Sequence, residues 1–320
     1  MKDYSIATEE EIIEAEKASK KEYKKVTPPF GYFGSKNKIA LQLCKDLPRH
    51  NCWVEAFCGA ASLTLAKPPA PIEVINDIDS EIVNVFKQLR ENPEQLYKVL
   101  ELTPYAREEF ENARSKNTTN ATELERARRF LIQAMMAING VFGEAQGGFS
   151  YSQSYSRNGR DARVNRWCNL PERLSKVVSR LRSVRIDNRD AKEIVNMFIN
   201  RPATLVYLDP PYLGDRTKGY TYDLNDENYH QELLELANEA NCMIFISGYE
   251  NELYNDLLTE KKGWSKKTIP TITKDSNGKS HDRSEVVWMN SQYKKAIDTD
   301  SIPIKLTQKE IKEKKLNPER

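Results

Sequence analysis

Cysteine and histidine are scarce: five and three residues in a chain of 320. Cys44, Cys52, Cys58, Cys168 and Cys242 are odd in number and form no C-x-x-C pair, which argues against a disulfide framework and a structural zinc site. A reducing compartment, the cytoplasm, is the expected setting. His50, His230 and His281 show no metal-ligand spacing, so they read as surface histidines and no metal is expected. Long apolar runs are missing too. The stretches around Met135 and from Met243 to Ile246 are far too short for a bilayer. The first residues, with Glu9, Glu10, Glu11 and Glu14, lack the basic-then-apolar pattern of a secretion signal. Nor is there an excess of one charge: 49 Lys and Arg stand against 47 Asp and Glu, a net of +2, so bulk charge names no partner.

What is present is an alternation of short buried runs with helical spacing. Residues 52–56, 72–76, 205–208 and 243–247 read as buried strands. Residues 62–66 read as a short helix. From Asp79 to Arg90, apolar residues at Ile82, Val83, Val85, Phe86 and Leu89 have helical spacing behind an Asp N-cap. Residues 191–198 and 232–240 read as further helices. Strands alternating with helices predict an α/β, doubly wound sheet. Residues 101–185 break the rhythm, with helices predicted at 107–114, 123–138 and about 171–182 around an aperiodic Gly, Ser and Tyr-rich stretch. This is the pattern of a mainly helical domain inserted into the sheet. The expected division is 26–100 with 186–295 as the sheet domain, 101–185 as the insertion, and 1–25 and 296–320 as charged tails.

Two motifs sit where strands end. Val54-Glu55-Ala56-Phe57-Cys58-Gly59-Ala60-Ala61-Ser62 places small residues at a strand-to-helix turn, where a ligand can approach the backbone. Alone it is an ordinary tight turn. Asn76-Asp77-Ile78-Asp79 closes the next strand, and an acid there can accept hydrogen bonds from both ribose hydroxyls of an adenosine group. Asp77 is the candidate, and Asp79 is better read as a helix N-cap. Asp209-Pro210-Pro211-Tyr212 follows a third buried strand. Its prolines stop the strand and stiffen the backbone at the carboxyl end, where open α/β sheets bind ligands. A carboxylate and a backbone carbonyl that accept both hydrogens of a planar amino group would localise its lone pair, and a tyrosine face can stack on the ring that bears it.

With these motifs the chain resembles the Dam-like, D12 class of N6-adenine DNA methyltransferases over roughly residues 28–290. Pro29-Phe30-Gly31-Tyr32-Phe33-Gly34-Ser35-Lys36 is similar to that family's aromatic, Gly-rich and Lys block. The Glu55–Ser62 loop, Asn76–Asp79 and Asp209–Tyr212 are similar to its other blocks, in the same order. Ile246-Ser247-Gly248-Tyr249 and Arg283-Ser284-Glu285-Val286-Val287-Trp288 are similar to its last strands. The resemblance implies a Rossmann-like fold that binds S-adenosylmethionine, an inserted recognition domain, double-stranded DNA as partner, and methyl transfer to adenine N6 at a short recognition sequence after base flipping. It implies a cofactor site of Tyr32, Lys36, Phe57, Gly59, Asp77 and Asp209, and a catalytic group of Asp209, Pro210 and Tyr212. Asp190 lies by position near the cofactor adenine, and a helix N-cap explains it equally well. Two residues depart from the pattern: Ala56 replaces a usual Pro and Ala61 a usual Gly, which a negative φ at Ala61 would accommodate.

Residues 157–189 hold ten Lys or Arg against three acids. Arg157, Arg160, Arg163 and Arg166 recur at every third position among Gly and Ser, the pattern of a mobile loop that tracks a DNA backbone. For Arg180 to Arg185, an ordinary solvated helix face is an equal reading. Rival activities are methylation of cytosine N4 or of RNA adenine, since the tetrapeptide suits any planar amino group. A non-catalytic nucleic-acid-binding protein is the rival from another class. Motif order and the large insertion favour DNA adenine, and intact Lys36, Asp77 and Asp209 favour catalysis.

Overall fold

The computed structural model describes residues 23–31, 34–115, 120–138, 148–151, 156–157, 159–213, 226–274 and 280–303. Nine strands fall within them: β1 (Cys52–Glu55), β2 (Ile72–Asn76), β3 (Ser156–Arg157), β4 (Arg160–Asp161), β5 (Val184–Asp187), β6 (Thr204–Leu208), β7 (Met243–Gly248), β8 (Ser265–Lys274) and β9 (Ser280–Met289). Seven form one sheet in the order β5-β2-β1-β6-β7-β9-β8. The first five run parallel, and β9 and β8 complete the sheet antiparallel. This is an α/β, Rossmann-like sheet. The chain leaves β1 towards β2 on one side and returns to β6 on the other. That reversal makes the carboxyl ends of β1 and β6 the topological switch point, where such sheets bind ligands.

The helices are α1 (Ala40–Cys44), α2 (Ser80–Glu91), α3 (Pro93–Glu101), α4 (Arg107–Arg114), α5 (Glu123–Met136), α6 (Ala162–Cys168), α7 (Leu170–Leu181), α8 (Ala191–Phe198), α9 (Glu227–Asn238), α10 (Glu252–Leu257) and α11 (Ser291–Thr299). The central strands are buried on both faces, and the alternation sorts their side chains. Val54, Val206, Leu208, Ile244 and Ile246 pack with α8 and α9. Trp53, Leu205, Tyr207, Met243 and Phe245 pack with α1 and α11. Among the described residues, no helix is long and apolar enough to cross a membrane.

The segment 101–185 does not float free of the sheet. Phe110, Phe130, Leu131, Met135, Trp167, Leu174 and Leu181 share one buried cluster with Ile75 of β2 and with Ile82, Phe86 and Leu89 of α2. A buried ionic group reinforces the junction. Arg180 of α7 makes a two-pronged bond to Glu73 of β2, at 2.5 and 2.8 Å, and donates to the Thr64 carbonyl. Lys67 donates to the same carboxylate at 2.8 Å, and Tyr23 accepts from Arg180 and donates to the Leu65 carbonyl. Burial pushes the Glu73 carboxyl up, but Arg180 and Lys67 outweigh it and hold it below its ordinary value. Arg180 is therefore no part of a solvated face. It lies on the inward side of α7 with Leu174, Val177 and Leu181.

Two more expectations are corrected. Residues 59–66 form a run of turns, with Leu65 N–H on the Ala61 carbonyl and Lys67 N–H on that of Leu63, in place of a regular helix. His230 is fully buried, because it sits on the inner face of α9 beside Leu233 and Leu234, with Nδ1 2.8 Å from the Tyr254 hydroxyl. His50 is half-buried, and its Nδ1 lies 2.7 Å from the Pro48 carbonyl oxygen. The side chain of His281 lies outside the described residues.

Candidate active site

The turn after β1 is built around two carboxylates. Glu55, at the strand end, accepts from the Leu63 and Thr64 amides and from the Thr64 hydroxyl. Full burial pushes its carboxyl up to about 7, against the pull of those hydrogen bonds. Asp77, just past β2, accepts from the Gly59 amide at 2.8 Å and the Asp79 amide at 3.0 Å. Burial raises it to about 6. Asn76 ties three chain segments together, donating to the Ala56 and Arg189 carbonyls and accepting from the Arg189 amide. Asp79 caps α2 through the Glu81 amide, as its position suggested.

Gly59 has φ 47°, and Ala61, fully buried, has φ 53°. The negative φ anticipated for Ala61 is not found. The left-handed region costs a non-glycine residue about 1–2 kcal/mol. Ala61→Gly should relieve this. It also loosens the unfolded chain by about 0.5–1 kcal/mol and gives up a methyl group worth about 0.8 kcal/mol. The net change should be small. Ala61→Val adds a β-branched side chain at a disfavoured φ in a packed site and should cost about 2–3 kcal/mol. Urea unfolding of both variants tests this, and a neutral Ala61→Val would show that the turn does not hold its geometry.

The second part lies at the ends of β6, β7 and β9. Asp209 follows β6 directly, with Pro210 and Pro211 buried behind it. Lys36, buried in the turn Lys36–Lys38, places Nζ 2.8 Å from Asp209 Oδ1, 3.7 Å from Glu285 Oε1 and 4.8 Å above the Tyr212 ring. The Ser247 hydroxyl donates to Asp209 Oδ1 at 2.9 Å and is itself 2.7 Å from the Tyr207 hydroxyl. Tyr212 donates to Glu285 Oε1 at 2.5 Å, and its ring lies 4.4 Å from that of Tyr249. Burial, then the charges of Asp209 and Glu285, push the Tyr212 phenol well above its ordinary value, so it remains a donor. At Gly248 an added Cβ would meet Trp288 at 3.5 Å and the Tyr212 ring at 3.9 Å.

Residues 32–274 match the D12 class N6 adenine-specific DNA methyltransferase family. The chain belongs to that family. Its reaction is transfer of a methyl group from S-adenosylmethionine to N6 of adenine in DNA. The methyltransferase is also similar to the Type II methyltransferase M1.LlaDCHI of Lactococcus lactis subsp. cremoris, 25% identical over 248 residues, 71% of this chain and 84% of that protein. Among solved structures, a SAM-dependent methyltransferase from Agrobacterium tumefaciens is a remote likeness, with 10% identity, a TM-score of 0.34, and coverage of 80% of this chain and 60% of that one.

The methyltransferase gathers Asp209 and Tyr212 around Lys36, which touches both, and joins Gly59 to Asp77. Phe57 is half-buried between the two groups in sequence. The donor set suits S-adenosylmethionine, whose adenosine carries two ribose hydroxyls and whose sulfonium is a cation: a carboxylate braces the glycine turn, and among the described residues Asp209 and Glu285 share Lys36. Asp190 caps α8 through the Lys192 amide and also accepts from the Tyr229 hydroxyl, so the cap is present. Tyr32 lies outside the described residues. Sequence reasoning missed Glu285, Ser247 and Tyr207 as members of the site. All three were in view, inside strands read only as scaffold.

The arginine segment is not the loop its glycine and serine suggest. Arg157 pairs with Arg160 across the short hairpin β3–β4, and Gly159 turns it with φ 72°. Arg163 and Arg166 share one face of α6, which Asp161 caps through the Arg163 and Val164 amides. Arg160 is exposed and Arg163 half-buried. Arg166 is half-buried against the Lys36 segment, close enough that a Cβ on Gly31 would meet its Nη2 at 2.9 Å. Burial and then Arg163's charge lower its pKa. Arg173 adds a bond to the Pro29 carbonyl at 3.0 Å. These two arginines press the insertion onto the block that leads to Lys36.

Proposed function

We propose that the enzyme methylates adenine at a short site in double-stranded DNA, flipping the target base out of the helix, and that it works in the cytoplasm. The observation that carries this reading is the Lys36–Asp209–Tyr212 contact at the switch point of the sheet. N6 is out of reach inside a duplex, so the base must leave the stack. Tyr212 then offers its ring for stacking. Asp209 and the Pro210 carbonyl accept the two amino hydrogens, and Ser247 and Lys36 fix the carboxylate that does so. As N6 becomes a better nucleophile and then gains positive charge, Asp209 is already in place to stabilise it. S-adenosylmethionine supplies the methyl group as an electrophile. Asp77 would hold its ribose, and Lys36, Phe57, Gly59 and the Tyr32 block would line the rest. Asp190 belongs at the adenine end, with both the Lys192 amide and the Tyr229 hydroxyl on its Oδ1. The recognition domain in this reading is 101–185, with Arg157, Arg160, Arg163 and Arg166 facing DNA.

DNA binding of single Arg→Ala variants over a salt series tests the reading, with a 2-aminopurine probe at the target base. Removing an arginine that binds a phosphate should flatten the log–log salt slope by about one unit on every sequence. An arginine that reads guanine should instead cost about 1–3 kcal/mol at one base position. Tyr212→Ala should blunt the rise in probe fluorescence. Unchanged slopes and preferences in all four arginine variants would place recognition elsewhere in the insertion.

A further inference from the structure

Glu285 stands on β9, an antiparallel strand, whereas Asp209 and the cofactor turns stand on the parallel ones. Its side chain is buried, yet Oε1 takes the Tyr212 hydroxyl at 2.5 Å and lies 3.7 Å from the Lys36 ammonium that pairs with Asp209. Two carboxylates thus share one ammonium. Among the described residues, no other cation is paired with either of them. If the only task were to anchor a tyrosine hydroxyl, an amide or backbone carbonyl would serve without the cost of burying a charge. Among the described residues this sharing leaves a surplus of one negative charge, which a further cation would balance. The methyl donor brings one, on sulfur, and loses it when the methyl leaves.

We propose that Glu285 is a positioning residue with two effects: it holds Tyr212 by its hydroxyl as the floor under the target adenine, and its charge makes the site prefer the cationic methyl donor to the neutral spent cofactor. The second effect rests on the family's reaction and the first on the stacking role proposed for Tyr212. S-adenosylmethionine and S-adenosylhomocysteine share the same adenosine, amino and carboxylate groups. Their affinity ratio therefore isolates the charge on sulfur.

The two effects come apart in two isosteric variants. Glu285→Gln removes the charge and keeps an oxygen for Tyr212. Tyr212→Phe removes the hydroxyl and keeps the charge. Calorimetric titration with both cofactors should show the ratio in Glu285→Gln falling by about tenfold, the order expected for one unit charge about 6 Å away at an effective dielectric near 40, between that of a protein surface and that of water. Tyr212→Phe should keep the wild-type ratio. In single-turnover methylation, Glu285→Ala and Tyr212→Phe should each slow transfer, and the double variant should be no slower than the slower single one, because both cut the same link. A wild-type cofactor ratio in Glu285→Gln overturns the charge assignment. Multiplying effects in the double variant overturn the link through Tyr212. The titrations need no DNA. Failure of the wild-type enzyme to bind or methylate duplex DNA would instead refute the reading of its substrate and leave the cofactor ratio to decide the role of Glu285.

Discussion

Replacing Asp209 by alanine should reduce single-turnover methyl transfer by about 10²–10³-fold or more while DNA affinity at saturating cofactor stays near wild type. The first figure is what loss of one preorganised group at the reacting centre commonly costs. Asp209 is asked for two things, a hydrogen-bond acceptor and a negative charge beside N6, and alanine supplies neither. DNA affinity should be spared if, as proposed, phosphate contacts on the insertion carry most of it. The fold should survive as well. Lys36 loses its 2.8 Å partner but keeps Glu285 at 3.7 Å, so no buried ammonium is stranded. Asp209→Asn separates the two duties, since its carbonyl oxygen can still accept from Ser247 while the charge is gone. Near-normal turnover in Asp209→Ala would remove this carboxylate from the mechanism.

The second large effect is on stability. Arg180→Ala should destabilise the protein by about 3–5 kcal/mol, the usual result of removing one partner from a buried ion pair. Glu73 would keep the Lys67 ammonium and the Ala70 amide, both on Oε1, in a site with almost no access to water. Tyr23→Phe removes two hydrogen bonds, from Arg180 and to the Leu65 carbonyl, and should cost less, about 1–3 kcal/mol. Denaturant unfolding measures both. If Arg180→Ala unfolds at the wild-type midpoint, the network contributes geometry and no net stability. Because Arg180 lies on the insertion and Glu73 on β2, the variant should also weaken the joint between them, which limited proteolysis at the 101–185 boundary would report.

Much of the sheet was legible because four of its five parallel strands are covered on both faces and read as short, mostly apolar runs: 52–56, 72–76, 205–208 and 243–247 each lie within a residue of β1, β2, β6 and β7. The edge strand β8 was not. Its sequence Ser-Lys-Lys-Thr-Ile-Pro-Thr-Ile-Thr-Lys carries the lysines and proline of an exposed edge and no apolar run. The motifs that follow strands were legible because the switch point forces small residues, acids and prolines into fixed places. What stayed hidden are pairings over long sequence distances. Glu285 lies 73 residues from Tyr212 and Glu73 lies 107 from Arg180. Local spacing carries no trace of such partners, and so Arg180 read equally as a solvated or a DNA-facing cation and Glu285 as strand. Arg163 and Arg166 read as loop for a different reason: one aspartate cap starts α6 immediately after a glycine-rich hairpin.

The hairpin β3–β4 stands apart from the anchoring of the insertion, which begins with Arg166 and Trp167 of α6. Arg157 and Arg160 lie on a two-residue ladder, whereas the insertion is held through Arg180, Trp167 and the apolar face of α7. Substitutions in the hairpin therefore touch almost none of the packing that keeps the insertion folded. With Arg157 and Arg160 facing DNA, as proposed, the hairpin is free to change the bases it meets without loss of the fold. Changes at Arg180 or Glu73 have no such freedom, since each must be matched by its partner in a single step.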